Sequence, residues 1–219
     1  MSSRLNNDVL TGAVLMMLFV LWTILIQVVD VRNAGVNGSE IGFTRLNCFV
    51  HSAIGTNMAL YTITDWLGLV PVLFCLVLGG VGLWQMIKRR SILKVDIDII
   101  LLGVYYIIVI GAYLTFEMIP INYRPVMIEG RMEASYPSST TLLVLCVMPT
   151  VSFQCRRRFR NITLQRISAV IIPLFSIFMV CGRLVSGVHW VTDIIGSILF
   201  SGGIYLLYKG TVYLAEQRR

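Results

Sequence analysis

Residues 9–29 read VLTGAVLMMLFVLWTILIQVV and contain no charged side chain. An α-helix needs about 20 apolar residues to cross the hydrocarbon core of a bilayer, and this stretch has that length. It lacks a small-residue cleavage site followed by a soluble domain, so we expect it to be retained as a signal anchor. The stretch predicts an integral membrane protein built from α-helices.

The rest of the chain has the same character. Of its 219 residues 57% are hydrophobic and only 13% are charged, and the charges collect in short clusters between apolar runs. Without internal repeats, low-complexity tracts or a long linker, residues 1–219 are predicted to form one domain. We predict an all-α, polytopic bundle of six transmembrane helices, at 9–29, 66–87, 98–116, 138–155, 167–185 and 189–210.

An even number of spans places both termini on one side of the membrane, and the positive-inside rule predicts that this side is cytoplasmic. Thirteen of the 18 basic residues then lie inside and five lie outside. The inner residues are Arg4, Lys88, Arg89, Arg90, Lys94, Arg156, Arg157, Arg158, Arg160, Arg166, Lys209, Arg218 and Arg219; the outer ones are Arg32, Arg45, Arg124, Arg131 and Arg183.

The net charge of +7 does not indicate a nucleic-acid partner, because the basic residues alternate with membrane spans instead of forming one stripe. They serve as orientation signals, with a general attraction to anionic lipids of the inner leaflet. The five cysteines have no metal-ligand spacing, so no metal site is predicted. No other cofactor is predicted either. Short loops without appended domains favour a bacterial inner membrane.

The longest outer connection runs from about residue 30 to 65. Its second half predicts an amphipathic helix in the membrane interface, with Tyr61 and Trp66 as anchors at the level of the headgroups. His51 in this segment is expected to be a surface or packing residue.

Residues 183–193, RLVSGVHWVTD, carry the side chains most suited to chemistry. His189 and Asp193 are four residues apart, so we expect them on one face of a helix and within hydrogen-bonding reach. Arg183 lies just before the Ser186-Gly187 break. The two residues alone would fit an interfacial pair capping a helix, but an oriented imidazole beside a guanidinium suits attack on a phosphate.

The second outer connection, residues 117–141, reads EMIPINYRPVMIEGRMEASYPSSTT. Pro137 is expected to open the fourth helix, which leaves Ser138, Ser139 and Thr140 in its first turn beside unpaired backbone amides. Such a helix start is suited to binding an anion. Glu129 and Glu133 are interpreted as solvated loop charges.

Three segments on the same membrane side resemble, in order, the signatures of the type 2 phosphatidic acid phosphatase superfamily, which includes the vanadium haloperoxidases. They are Arg124-Pro125, Tyr136-Pro137-Ser138, and Arg183-x5-His189-x3-Asp193. The resemblance covers about residues 98–210 and implies a membrane lipid phosphate phosphatase without a metal. It implies that His189 forms a phosphohistidine, Asp193 orients it, Arg124 and Arg183 clamp the phosphate, and Ser138 with its following amides completes the cradle.

The chain also departs from that family. Glu117 stands where the first signature has lysine, Ser139 and Thr140 stand where the second ends in Gly-His, and Gly182 replaces a serine of the third. The missing histidine is the family's general acid, whose loss typically costs about 10²- to 10⁴-fold. Because a leaving phosphate is less basic than a leaving alkoxide, an isoprenoid diphosphate becomes the favoured substrate.

Glu117 admits three interpretations: a replacement acid, a salt-bridge partner of Arg124 or Arg131, or the mark of a substrate other than a bare phosphate. We favour the salt bridge, with Arg131 supplying the charge of the lost lysine.

Two function classes remain at this point. The first is an enzyme acting on a lipid phosphate or diphosphate at the outer membrane face. The alternative is a catalytically impaired family member that binds a lipid headgroup or transfers phosphoryl to an acceptor other than water. A transporter is disfavoured, because the predicted spans contain few ionisable groups.

Overall fold

The structure, a computed structural model, describes residues 2–217 and is all-helical over that range. Extended segments there pair only as isolated bridges, such as Tyr123 with Ala134. The all-α prediction is confirmed. The α-helices are α1 (Ser2–Val28), α2 (Thr44–Ile54), α3 (Met58–Leu67), α4 (Leu69–Arg89), α5 (Ile97–Met118), α6 (Ser139–Arg158), α7 (Ile162–Val185) and α8 (Val191–Gln217).

Within residues 2–217, five helical segments are long and apolar enough to cross a membrane: Asn6–Val28, Met58–Arg89, Ile97–Met118, Ile162–Val185 and Val191–Gln217. The predicted fourth span corresponds to α6, which is less apolar than the others. It packs against α4, α5, α7 and α8, and eleven of its 20 residues are buried. A helix surrounded by protein needs no continuous apolar surface, which explains why threonines and Gln154 are accepted in it.

The predicted amphipathic helix corresponds to α2, and its place in the membrane interface stays a prediction. A further helix, α3, follows it and runs almost directly into α4. Gly68 joins α3 to α4. A side chain at this position would be crowded, because a Cβ would lie 2.8 Å from the carbonyl oxygen of Asp65 and 3.3 Å from the methyl carbon of Thr140. The Asn57 side chain starts α3 by accepting a hydrogen bond from the Leu60 amide at 3.0 Å. Helix α3 packs against α7. Tyr61, expected at the headgroups, therefore faces protein.

An aromatic cluster fixes the segment that precedes α6. The Tyr136 ring stacks 6.2 Å from the Phe19 ring of α1 and stands edge-on to Phe116 of α5 at 5.7 Å. Its hydroxyl shares a 2.7 Å hydrogen bond with the Thr23 hydroxyl. On α8, a Cβ at Gly196 would lie 2.4 Å from the ring, so the absence of a side chain makes room for it. These contacts hold residues 135–138 against the start of α8.

The other end of the bundle is closed by ion pairs. Arg158 contacts Asp98 at 2.8 Å and Asp96 at 3.1 Å, and Asp96 also contacts Arg89 at 2.7 Å. Arg157 contacts Asp98 at 3.4 Å. These contacts join the α4–α5 connection to the end of α6. Arg218 and Arg219, which entered the predicted orientation, lie outside the described residues.

Candidate active site

The turn between α7 and α8 carries the third signature segment. Gly187 has a φ of +68°, and a Cβ there would lie only 1.9 Å from the Gly55 carbonyl oxygen, so this turn requires glycine. Helix α8 begins at Val191, two residues after His189. The expectation that His189 and Asp193 share one helical face is therefore wrong: His189 lies in the turn, and only Asp193 lies in the first helical turn.

Ser135 connects His189 with Asp193. The Nδ1 atom of His189 is 3.7 Å from Oδ2 of Asp193, but only 3.1 Å from the Ser135 carbonyl oxygen and 3.2 Å from its hydroxyl. That hydroxyl donates a hydrogen bond to Asp193 Oδ2, which also accepts from the Trp190 amide at 2.8 Å. The hydrogen-bond network assigns the proton of His189 to Nδ1 and leaves the Nε2 lone pair free.

Two buried arginines lie over one aromatic ring. The guanidinium carbon of Arg183 is 4.8 Å from the centre of the Tyr61 ring, and that of Arg124 is 5.9 Å from the same point. Arg183 is 1% exposed and Arg124 is 8% exposed. The structure thus brings together the two arginines that the sequence placed 59 positions apart. Two cations held close together in a partly dehydrated site favour an anion between them.

Arg124, Arg183, His189 and Asp193 form one buried cluster of polar side chains. Several of its polar atoms have no hydrogen-bond partner among the described residues. They are Nε and Nη1 of Arg124, Nε of Arg183, Nε2 of His189 and Oδ1 of Asp193. Buried donors without partners are costly and therefore rare, so a group of three beside a free imidazole nitrogen needs an explanation. A phosphate would accept hydrogen bonds from the three donors while its phosphorus approaches Nε2.

The electrostatics of the cluster keep His189 neutral. Burial lowers the pKa of His189 well below its usual value, and the positive charges of Arg124 and Arg183 lower it further. The hydrogen bond to Ser135 opposes these effects without overcoming them. A neutral imidazole has the free electron pair that a nucleophile needs.

The partner of Arg124 is Glu133. Its carboxylate lies 3.1 Å from Arg124 Nη2, and its carbonyl oxygen accepts a hydrogen bond from the Arg124 amide at 3.1 Å. The expected salt bridge from Glu117 to Arg124 or Arg131 is therefore wrong, as is the interpretation of Glu133 as a merely solvated charge. Glu117 lines a separate small crevice with Ser139. The short turn Ile128–Arg131 leaves Arg131 exposed, away from the buried cluster.

Helix α3 supplies contacts that no sequence motif indicated. Arg183 Nη1 lies 3.4 Å from the Thr64 hydroxyl and 3.6 Å from Asp65 Oδ1. Tyr61 and Asp65 are one helical turn apart, which is why both reach Arg183. His51 of α2 packs edge-on against Trp190 at 5.5 Å, in agreement with its interpretation as a packing residue.

The second signature segment meets α8 at the start of α6, where the Ser138 amide donates a hydrogen bond to the Asp193 carbonyl at 3.4 Å. Ser138 is fully buried, and its hydroxyl donates to the Thr141 hydroxyl at 3.0 Å. Its carbonyl accepts a hydrogen bond from the Ser197 hydroxyl of α8 at 3.1 Å. Thr140 is 9% exposed and lies against the α3–α4 junction. Of the three predicted hydroxyls, Ser138 and Thr140 are buried, whereas Ser139 is half-buried beside Glu117.

The chain resembles a known family in its sequence and a solved structure in its fold. The family model of the PAP2 superfamily matches residues 98–216. The fold is similar to the crystal structure of the first transmembrane PAP2 type phosphatidylglycerolphosphate phosphatase from Bacillus subtilis, with a TM-score of 0.64 and 15% identity. The similarity covers 95% of this chain and 98% of that one. No curated protein matches the sequence.

Proposed function

Because the chain belongs to the PAP2 superfamily, we propose that it is an integral membrane phosphatase that removes phosphate from a lipid phosphate or diphosphate through a phosphohistidine. The observation that carries this proposal is the free, buried Nε2 of His189 together with the unpartnered donors of Arg124 and Arg183. Phosphoryl transfer is catalysed mainly by positioning and by stabilising the charge on the equatorial oxygens, and this cluster offers both.

In the proposed reaction, the Nε2 electron pair attacks phosphorus and the bond from phosphorus to the leaving oxygen breaks. The leaving group takes the electrons of that bond. The carboxylate of Asp193, acting through Ser135, stabilises the positive charge that develops on the imidazole. Water then attacks the phosphohistidine, which releases inorganic phosphate and restores the neutral imidazole.

The position of the family's second histidine is occupied by Thr140, whose hydroxyl cannot donate a proton as an acid at neutral pH. The substrate must then supply a good leaving group. An isoprenoid diphosphate does so, because its departing group is a phosphate monoester. We propose this substrate class, with Asp193, Arg124 and Arg183 in the roles the family resemblance implies and Ser138 at the edge of the phosphate site.

The proposed topology has six spans, with α6 as the span that packs inside the bundle, both termini in the cytoplasm and His189 at the outer face of the inner membrane. Residues 1–219 form one domain, with a catalytic core at about 98–210. The distribution of basic residues supports this orientation.

The proposal is tested by phosphate release from the detergent-purified protein. An isoprenoid diphosphate is expected to be hydrolysed about 10²-fold faster than an isoprenoid monophosphate or a phosphatidic acid, because only the diphosphate avoids the need for a general acid. Equal rates on all three lipids would contradict the assignment of substrate class. No release from any of them would favour the alternative, a protein that binds a lipid headgroup or transfers phosphoryl to another acceptor.

Replacing Ser135 by alanine is expected to lower kcat about tenfold with little change in KM. The substitution removes the hydroxyl that joins Asp193 to His189 but keeps the carbonyl that holds Nδ1. Ser201→Ala is a matched control, because Ser201 is also a buried serine, on α8, and hydrogen-bonds to the Leu142 carbonyl instead. A Ser135 variant with the kcat of the control would exclude Ser135 as a positioning residue.

A further inference from the structure

A groove runs between α6, α7 and α8, from the middle of these helices to the end of the bundle farthest from His189. Its volume is about 490 Å³, and it is lined chiefly by apolar side chains, among them Leu145, Pro149, Ile172, Pro173 and Ile177. Lys209, at one end of it, follows Asp193 on α8 by 16 residues. At 1.5 Å per residue this is about 24 Å along the helix. The charged end of the groove is therefore far from the phosphatase site, and none of Arg124, Arg183, His189 and Asp193 lines the groove.

The groove exists because three helices meet with small side chains between them. Helix α6 packs against both α7 and α8, whereas α7 and α8 scarcely touch each other. Ser152 and Ser176 line the gap, and neither fills it. The Ser176 hydroxyl donates to the Ile172 carbonyl at 2.9 Å, so the polar group is satisfied within its own helix. The wall presented to the gap is consequently apolar and suited to a hydrocarbon chain.

One end of the groove carries unbalanced positive charge. Arg156, in the last turn of α6, lines it, is exposed, and has no ion-pair partner among residues 6–217. Lys209 also lines it but contacts Asp8 at 3.0 Å. The adjacent Arg157 is already paired, with Asp98 and Glu216. The free charge at this end is thus that of Arg156.

Aromatic hydroxyl groups stand beside these cations. Tyr205, Lys209 and Tyr213 follow one another at intervals of four on α8, so they share one helical face, and all three line the groove. An apolar gap with a few convergent polar groups at one end has the form of a ligand site, and its volume falls within the usual range of about 300–1,000 Å³.

We propose that this groove binds an anionic glycerophospholipid from the leaflet opposite to the His189 site. One acyl chain lies along the apolar wall between Leu145 and Ile177, and the phosphate group lies at Arg156. The occupant is a lipid because the groove faces outward from spanning helices, where bilayer lipid is the surrounding medium. It is anionic because the charge of Arg156 is unmatched by any carboxylate among the described residues.

The test uses the full-length protein, purified in detergent, delipidated, and titrated with phosphatidylglycerol or phosphatidylcholine while native mass spectrometry counts bound lipids. Phosphatidylglycerol is expected to bind about fivefold more tightly, which is the usual contribution of one basic residue near an anionic lipid. Arg156→Gln should abolish this preference. Arg160→Gln is the matched control: it removes an exposed arginine just beyond α6 that does not line the groove, and it should leave the preference intact.

A second pair of variants distinguishes the groove from the phosphatase site. Ser152→Leu should weaken binding of both lipids by filling the groove, whereas Arg183→Gln should leave the preference for phosphatidylglycerol unchanged. Elution of each variant as a single species verifies its fold. Equal affinity for the two lipids, an unaltered preference in Arg156→Gln, or loss of the preference in Arg183→Gln would each overturn the proposal. None of these results depends on which lipid phosphate the enzyme hydrolyses.

Discussion

Replacement of His189 by alanine is expected to lower the rate of phosphate release from an isoprenoid diphosphate by more than about 10³-fold. His189 is the proposed nucleophile, and loss of a nucleophile costs far more than loss of a single binding contact. The measurement is the initial rate of phosphate release by purified wild-type and variant proteins. Acid-labile labelling of the wild-type protein by substrate carrying radioactive terminal phosphate, absent from the variant, would identify the intermediate.

The only other histidine provides the control. His51→Ala removes an imidazole that packs against Trp190 and makes no aromatic or ion-pair contact with Arg124 or Arg183 within residues 2–217, and it should leave most of the activity. Wild-type activity in His189→Ala, or equal losses in the two variants, would contradict the phosphohistidine mechanism.

The pH profile gives a second test of the same residue. Since burial and then the two arginines lower the pKa of His189, the neutral nucleophile persists as the pH falls below the usual value of 6.5. The acid limb of kcat/KM that belongs to His189 should therefore lie well below pH 6.5. An acid limb of His189 at or above pH 6.5 would show that the imidazole is not held neutral.

Replacement of Arg183 by alanine is expected to lower kcat by about 10²- to 10³-fold, the cost of removing one preorganised donor from a developing charge. Arg183 is buried, and its Nε has no hydrogen-bond partner among the described residues, so this donor is free for a phosphate in the proposed reaction. Arg183→Lys should recover only part of the loss, because a lysine restores the charge but not the planar fork of donors.

Arg131→Ala is the matched control for charge, because Arg131 is an exposed arginine in the loop that also carries Arg124. It should behave like the wild-type protein. Activity lost equally in Arg131→Ala and Arg183→Ala would mean that general positive charge, and not the buried clamp, is what the substrate needs.

The sequence predicted the helical class and brought together Arg124, Arg183, His189 and Asp193, because apolar runs and signature residues are local properties. It did not predict Ser135, since its role depends on residues 135–138 being folded against α8 by Tyr136. The one sequence signal that Ser135 takes part in the site was its position directly before the second signature, Tyr136-Pro137-Ser138. It also misplaced His189 within a helix, because the requirement for Gly187 comes from the approach of the Gly55 carbonyl, which lies 132 positions earlier.

The contacts between α3 and the two buried arginines could not be predicted from the sequence, for a similar reason. Tyr61 and Trp66 form a pattern typical of interfacial anchors, and nothing local indicates that Tyr61 contacts two guanidinium groups. A salt bridge from Glu117 to Arg124 or Arg131 was expected because Glu117 stands at the lysine position of the first family signature. The turn between Arg124 and Glu133 brings a different carboxylate to that arginine.

The composition of α6 has a consequence for how the protein is made. A helix with buried threonines, Gln154 and three terminal arginines partitions poorly from the translocon into lipid when it is alone. Its neighbour α7 is strongly apolar and is separated from it by only three residues. We therefore expect α6 to be retained at the translocon until α7 has been synthesised, and the two to enter the bilayer together as a helical hairpin.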